Sequence, residues 1–145
     1  MEYVNFRKGR LAYQEAHAQE LDQARLILMM FSGAVRFLDK ALEYYSADIT
    51  ESGKYISRAK SIILELIASL DMENSGEMGN ILLRTYRGLF SKLNQAFILD
   101  DQEKLAEVRN SLAELKESWK QVFDSPEYAR FKQDRNAFRS SLSGR

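Results

Sequence analysis

Cysteine is absent from the 145 residues, which excludes disulfide staples, thiolate metal sites and a cysteine nucleophile, and is compatible with a reducing compartment. Histidine occurs once, as His17, in a polar N-terminal stretch; a lone imidazole is ordinarily solvated, and a metal site needs several ligands at set spacing. The Glu-x-x-His pair of di-iron bundles is missing. The seven glycines stand singly, so no dinucleotide fingerprint, Walker loop or nucleophile elbow is formed. No apolar run approaches the ~20 residues of a membrane span, and the first ten residues lack the apolar stretch of a signal peptide. Charge of one sign is lacking too: 21 basic residues balance 21 acidic ones, leaving no global field for nucleic acid or a membrane surface. The chain is therefore expected to be a soluble cytosolic protein that uses no cofactor or metal, binds no nucleic acid, inserts into no membrane and catalyses no reaction.

Proline is nearly absent, with Pro126 alone, and no alternating β-branched run appears, so a period near 3.6 organises the sequence. Ile27, Met30, Phe31, Ala34, Leu38, Ala41, Leu42 and Tyr45 mark a first helix over about 22–46, with Asp22 as its N-cap. Ile56, Ala59, Ile63, Leu66, Ile67 and Leu70 mark a second, starting near Thr50 and stopping near Asp71. Asn74, three residues before Glu77, resembles a capping box that opens a third helix, carrying Leu82, Tyr86, Leu89, Leu93 and Ala96 and ending near Leu99. After Asp100-Asp101, Leu105, Val108, Leu112, Leu115, Trp119 and Val122 give the cleanest seam, a fourth helix. Ser125-Pro126 reads as N-cap and first residue of a short fifth helix with Tyr128, Phe131 and Phe138. Short links force consecutive helices to run antiparallel. The expected fold is all-α: an antiparallel up-down four-helix bundle over 22–123 in a single domain of residues 1–145, with an N-terminal arm over 1–20 and a C-terminal helix and tail over 125–145. The last 18 residues are locally basic, with Arg130, Lys132, Arg135, Arg139 and Arg145 against Asp134, and read as a solvated tail.

What remains after these exclusions is apolar surface beyond the needs of one core. Flanking the Ile63 face of the second helix at about 60–100° stand Tyr55, Ile62 and Leu66; flanking Leu82 on the third stand Leu83, Phe90 and Phe97, with Met78 and Ile81 on the other side. Such stripes are covered by the arm or the fifth helix, or they form a groove for an amphipathic segment of another chain.

The run Leu26-Ile27-Leu28-Met29-Met30-Phe31-Ser32-Gly33-Ala34-Val35-Arg36-Phe37-Leu38 resembles the first-helix signature of the flagellar export chaperone FliS family, a Leu-x-Leu-Met-Leu-Tyr-Asp-Gly-Ala-x-Arg-Phe-type sequence. Tyr55 to Leu66 with Ser69-Leu70-Asp71 resembles the family's second helix; Leu93-Asn94-Gln95-Ala96 and Leu112 to Trp119 resemble its third and fourth. Tyr13 is placed like the tyrosine of the family's N-terminal arm, and the resemblance covers about residues 13–123. Glu20-Leu21-Asp22-Gln23 stands where the family has Thr-Ala-x-Pro, and Phe31-Ser32 replaces Tyr-Asp or Tyr-Asn. The resemblance implies a cytosolic chaperone that binds the disordered C-terminal segment of flagellin, prevents premature polymerisation and helps present it to the flagellar type III export gate. Tyr55, Ile62, Leu66, Leu83 and Phe90 are the expected partner-binding residues, with Tyr13 as a residue that covers the groove when flagellin is absent. The alternative is an adaptor or self-associating bundle of the export system.

Overall fold

A computed structural model describes residues 23–143, the side chains of 135, 136, 138–140 and 143 excepted. It contains five helices: α1 (Gln23–Tyr44), α2 (Ile49–Ala68), α3 (Gly76–Ile98), α4 (Gln102–Phe123) and α5 (Pro126–Ser143). The first four pack around a common core in which α1 adjoins α2 and α4, and α3 closes the ring between α2 and α4. The expected all-α bundle with a C-terminal helix is what the chain forms. The N-terminal arm, the Asp22 cap, His17 and Tyr13 lie outside the described residues.

Local chemistry sets the helix ends. Asp48 rather than Thr50 caps α2, its Oδ1 accepting the Glu51 amide at 3.1 Å, so the helix starts before the expected position. The Asn74 capping box does not form: Asn74 Nδ2 donates to Asp71 Oδ2 at 2.8 Å within the preceding turn, and Ser75 occupies the cap of α3 without a side-chain bond. Gly76 then enters the helix at φ +58°, a conformation in which a Cβ would be strained. Asp101 caps α4 through the Lys104 amide at 3.0 Å, after Asp100 has turned the chain at φ 54°. Ser125 Oγ accepts the Tyr128 amide at 3.2 Å ahead of Pro126, the expected opening of α5.

The core is centred on α1. Phe31, Ala34, Leu38 and Ala41 are completely buried and meet Ile56, Ala59 and Ile63 of α2, Tyr86 and Leu93 of α3, and Leu105, Val108 and Leu112 of α4 in one cluster. The Phe31 and Tyr86 rings, 6.2 Å apart, span the bundle from α1 to α3. A Cβ on Gly33 would stand 3.2 Å from Ile62 Cδ1, so the missing side chain lets α2 lie close to α1. Ser52 Oγ, buried in that seam, donates to the Ala41 carbonyl at 2.7 Å. Asp39 and Arg109, 2.7 Å apart, bridge α1 to α4 at the surface, where such a pair adds little. The seam expected along α4 stops early: Val122 is exposed, and Leu112 is the last buried residue of the helix.

Burial holds the Tyr86 hydroxyl in its neutral form, raising its pKa to about 12 despite a hydrogen bond from the Trp119 side chain that acts the other way. The folded-state value lies above the unfolded one. The resulting stabilisation is therefore complete below pH 10 and disappears as pH rises through 12, amounting to roughly 2–3 kcal/mol for a two-unit shift. Urea titrations at stepped alkaline pH should show this loss, and Tyr86→Phe should flatten it. In the core, Phe31→Ala should cost about 3–5 kcal/mol by the same assay.

Candidate partner-binding groove

Two seams border α2, and they differ in kind. On the α1 side the seam is filled: the Tyr55 ring stacks on Tyr44 with centroids 5.9 Å apart, lies 6.2 Å from Phe37, and carries the Arg58 guanidinium at 4.9 Å. On the α3 side it is open. Gly53, Ser57, Lys60 and Leu64 recur at steps of three and four residues along this edge of α2, and Leu83, Phe90 and Phe97 recur every seven along α3. The Phe90 ring lies under the Lys60 ammonium at 5.6 Å, and a Cβ on Gly53 would come within 3.0 Å of the Phe97 ring. Glycine at position 53 therefore makes room for an aromatic ring to rest against the helix backbone.

A pocket of about 200 Å³ opens between these edges, lined by Gly53, Ile56, Ser57, Lys60, Asn94, Phe97 and Ile98. Phe97 also walls a wider hollow at the end of the bundle, with Tyr45, Ser46, Ile49, Asp100 and Gln102. Large apolar side chains remain in solvent along this path: Leu64 is 49% exposed, Phe97 52% and Ile98 77%. Exposed apolar groups beside a pocket offer contact area to an apolar segment. Among the described residues no group of three or more His, Cys, Asp or Glu side chains could hold a metal ion.

The end of the groove is fixed by Tyr45, whose hydroxyl donates to Asp100 Oδ1 and so ties the end of α1 to the α3–α4 turn. That bond, with burial and the Asp101 charge, raises the Tyr45 pKa to about 12, so the tie persists across the neutral range.

The residues expected at the site divide between the two seams. Leu83 and Phe90 are half-buried on the α2–α3 stripe, as the spacing indicates. Tyr55 is half-buried on the opposite side of α2, against α1. Ile62 and Leu66, expected on an open flank, are 0% and 1% exposed and belong to the core. The correction has a simple cause. Helix α2 has neighbours on both sides, so one flank of its Ile63 face is occupied by α1; the free flank is the one toward Lys60 and Leu64. Gly53, Lys60 and Ile98 line the pocket, and Leu64 is exposed one turn beyond Lys60; none of the four was expected at the site. A glycine and a lysine give no apolar signal, and only the seven-residue repeat of Leu83, Phe90 and Phe97 pointed to this edge.

Gly53→Leu should displace the Phe97 ring and fill the pocket without unfolding the bundle, because Phe97 can swing into solvent. Loss of binding of an environment-sensitive apolar dye, with an unchanged circular dichroism spectrum, is the expected result.

Comparison with known proteins places this groove in context. The chain is 35% identical to the flagellar secretion chaperone FliS of Salmonella typhimurium over 100 residues, covering 68% of this chain and 74% of the relative. It is 29% identical over 115 residues to that of Campylobacter jejuni, with 79% and 90% covered, and 30% identical over 117 residues to that of Bacillus subtilis, with 79% and 85% covered. The model of the family described as flagellar protein FliS matches residues 7–126, which takes in α1 to α4 and the groove. On that match over most of its length, the chain belongs to the FliS family, a family of chaperones and not of enzymes.

Proposed function

We propose that the protein is a flagellar export chaperone that holds the C-terminal segment of newly made flagellin in the α2–α3 groove, keeps it from polymerising early, and helps present it to the export gate. The observation that carries this reading is the open seam itself: a pocket lined by Phe97 and Ile98, both more than half exposed, with Leu64 exposed one turn beyond Lys60. Membership of a family whose relatives are named flagellar secretion chaperones supports the identity of the client system. A segment that packs into a filament exposes an apolar stripe when free, and occupying that stripe removes its polymerisation surface. Each anchor buried in the groove contributes on the order of 1.5–3 kcal/mol before the ordering of the client is subtracted. Binding and release need no nucleotide. The proposed compartment is the cytoplasm, and among the described residues no helix is long and apolar enough to cross a membrane.

Within this reading Leu83 and Phe90 touch the client directly. Ile62 and Leu66 act from beneath, by locking α2 onto the core, and Tyr55 stiffens the far side of the same helix. Tyr13 belongs to the proposal as a residue that covers the groove until flagellin arrives.

The test uses the half-exposed residues, because Ile62→Asp would charge the core and unfold the bundle. Phe97→Asp and Leu64→Glu should each leave the helical circular dichroism signal and melting temperature nearly unchanged. Both should weaken a flagellin C-terminal peptide by about tenfold or more in isothermal titration calorimetry, about 1.4 kcal/mol or more. Wild-type affinity in both variants would remove the groove from the proposal. Tyr13→Ala should tighten binding, and an unchanged affinity would remove the covering role alone.

A further inference from the structure

Helices α2 and α3 carry a basic surplus in a chain that is neutral overall, with six basic residues against Glu51, Glu65 and Glu77. Two of the cations belong to the open seam. Lys60 is half-buried, seven residues after Gly53 on the same edge of α2, and its ammonium lies 5.6 Å from the centre of the Phe90 ring. Arg87 is exposed one turn before Phe90 and seven residues before Asn94, which lines the pocket. That spacing puts Arg87 on the groove side of α3, away from the buried Tyr86, Leu89 and Leu93. Because Lys60 meets Phe90, the two cations stand on opposite edges of the seam, offset along it by about one helical turn.

Neither cation has a carboxylate partner among the described residues. Of the three acidic residues on these helices, Glu51 pairs with Lys54 at 3.5 Å, Glu65 is buried on another side of α2 and Glu77 sits in the first turn of α3. A cation at the edge of an empty apolar groove stays hydrated. When a segment closes over the groove the cation loses water, and a carboxylate on that segment compensates it. We propose, resting on the reading of the α2–α3 seam as the client groove, that Lys60 and Arg87 select the client by charge. The segment they accept is amphipathic, with a carboxylate on each flank of its apolar stripe and the two offset by about one helical turn. A segment lacking acid at these points leaves both cations uncompensated, and one with lysine there meets like charge. The apolar residues of the groove supply contact area for any such segment; the two cations discriminate between segments. A second copy of α2 and α3 brings the same basic surplus and is disfavoured for the same reason.

Two synthetic helices with one leucine stripe, flanked by two glutamates in one and two glutamines in the other, test this by calorimetric titration into the full chain. The glutamate helix should bind about fivefold or more tightly at low salt, and its advantage should shrink as salt is raised. Lys60→Gln with Arg87→Gln should keep the melting temperature nearly unchanged and make the two helices bind alike. Lys60→Glu with Arg87→Glu should turn the preference toward a lysine-flanked helix. Equal affinity of the first two helices for the wild-type chain, or binding of neither, would overturn the proposal. So would a glutamate advantage that survives in the glutamine variant, the result expected if Lys60 only covers the Phe90 ring. Saturable binding of phosphatidylglycerol vesicles that the glutamate helix does not displace would overturn it as well, since the pair would then serve a lipid surface. Competition separates this inference from the flagellin reading. A glutamate helix that behaves as expected but is not displaced by a flagellin C-terminal peptide upholds the charge selection and removes flagellin as the client. A flagellin peptide that binds the wild type and the glutamine variant equally upholds flagellin and overturns the charge selection.

Discussion

Helix α1 can be packed on two sides at once because its inward face alternates large and small residues. Phe31 and Leu38 reach the centre of the bundle, while Gly33, Ala34 and Ala41 leave room for α2 to approach. The buried Ser52 hydroxyl, bonded to the Ala41 carbonyl, then sets the axial position of α2 against α1. With Ile62 and Leu66 held in that seam, α2 is not free to turn about its axis. Its opposite edge, with Gly53, Ser57, Lys60 and Leu64, must face α3, and the open groove is the geometric consequence. A change in the core of α1 therefore reaches the groove by moving α2, without touching any residue that lines it.

The helices and most of the core were legible in the sequence because a 3.6-residue period needs nothing beyond nearest-neighbour spacing. Phe31, Leu38, Ile63, Leu93, Leu105 and Leu112 all lie where that period puts them. The side of α2 that stays open was not legible. Periodicity gives the centre of an apolar arc but not which neighbour covers each flank; that depends on the ring order of the helices, a tertiary fact. Tyr55 and Ile62 do flank the Ile63 face, on the side that α1 covers. Short-range competition explains the cap errors as well: Asn74 fits the spacing of a capping box, yet Asp71 lies closer to its side chain and takes the bond.

The family is one of chaperones and not of enzymes, and the proposed holding of a client needs no covalent step. Tyr45 and Asp100 hold one end of the groove, Phe97 rests against Gly53, and the exposed aliphatic groups on both edges give a client apolar contact without demanding one exact side-chain shape. A surface of this kind suits a segment that arrives unfolded and leaves intact. The price is exposed apolar area, with Phe97 and Ile98 both more than half exposed.

The most direct measurement is a nuclear magnetic resonance titration of the ¹⁵N-labelled chain with a flagellin C-terminal peptide. Amide shifts should concentrate on residues 53–64 and 83–98, with the α1–α4 face unchanged. Shifts centred on the α1–α4 face, or no saturable change along the α2–α3 seam, would contradict the assignment of that seam as the client groove.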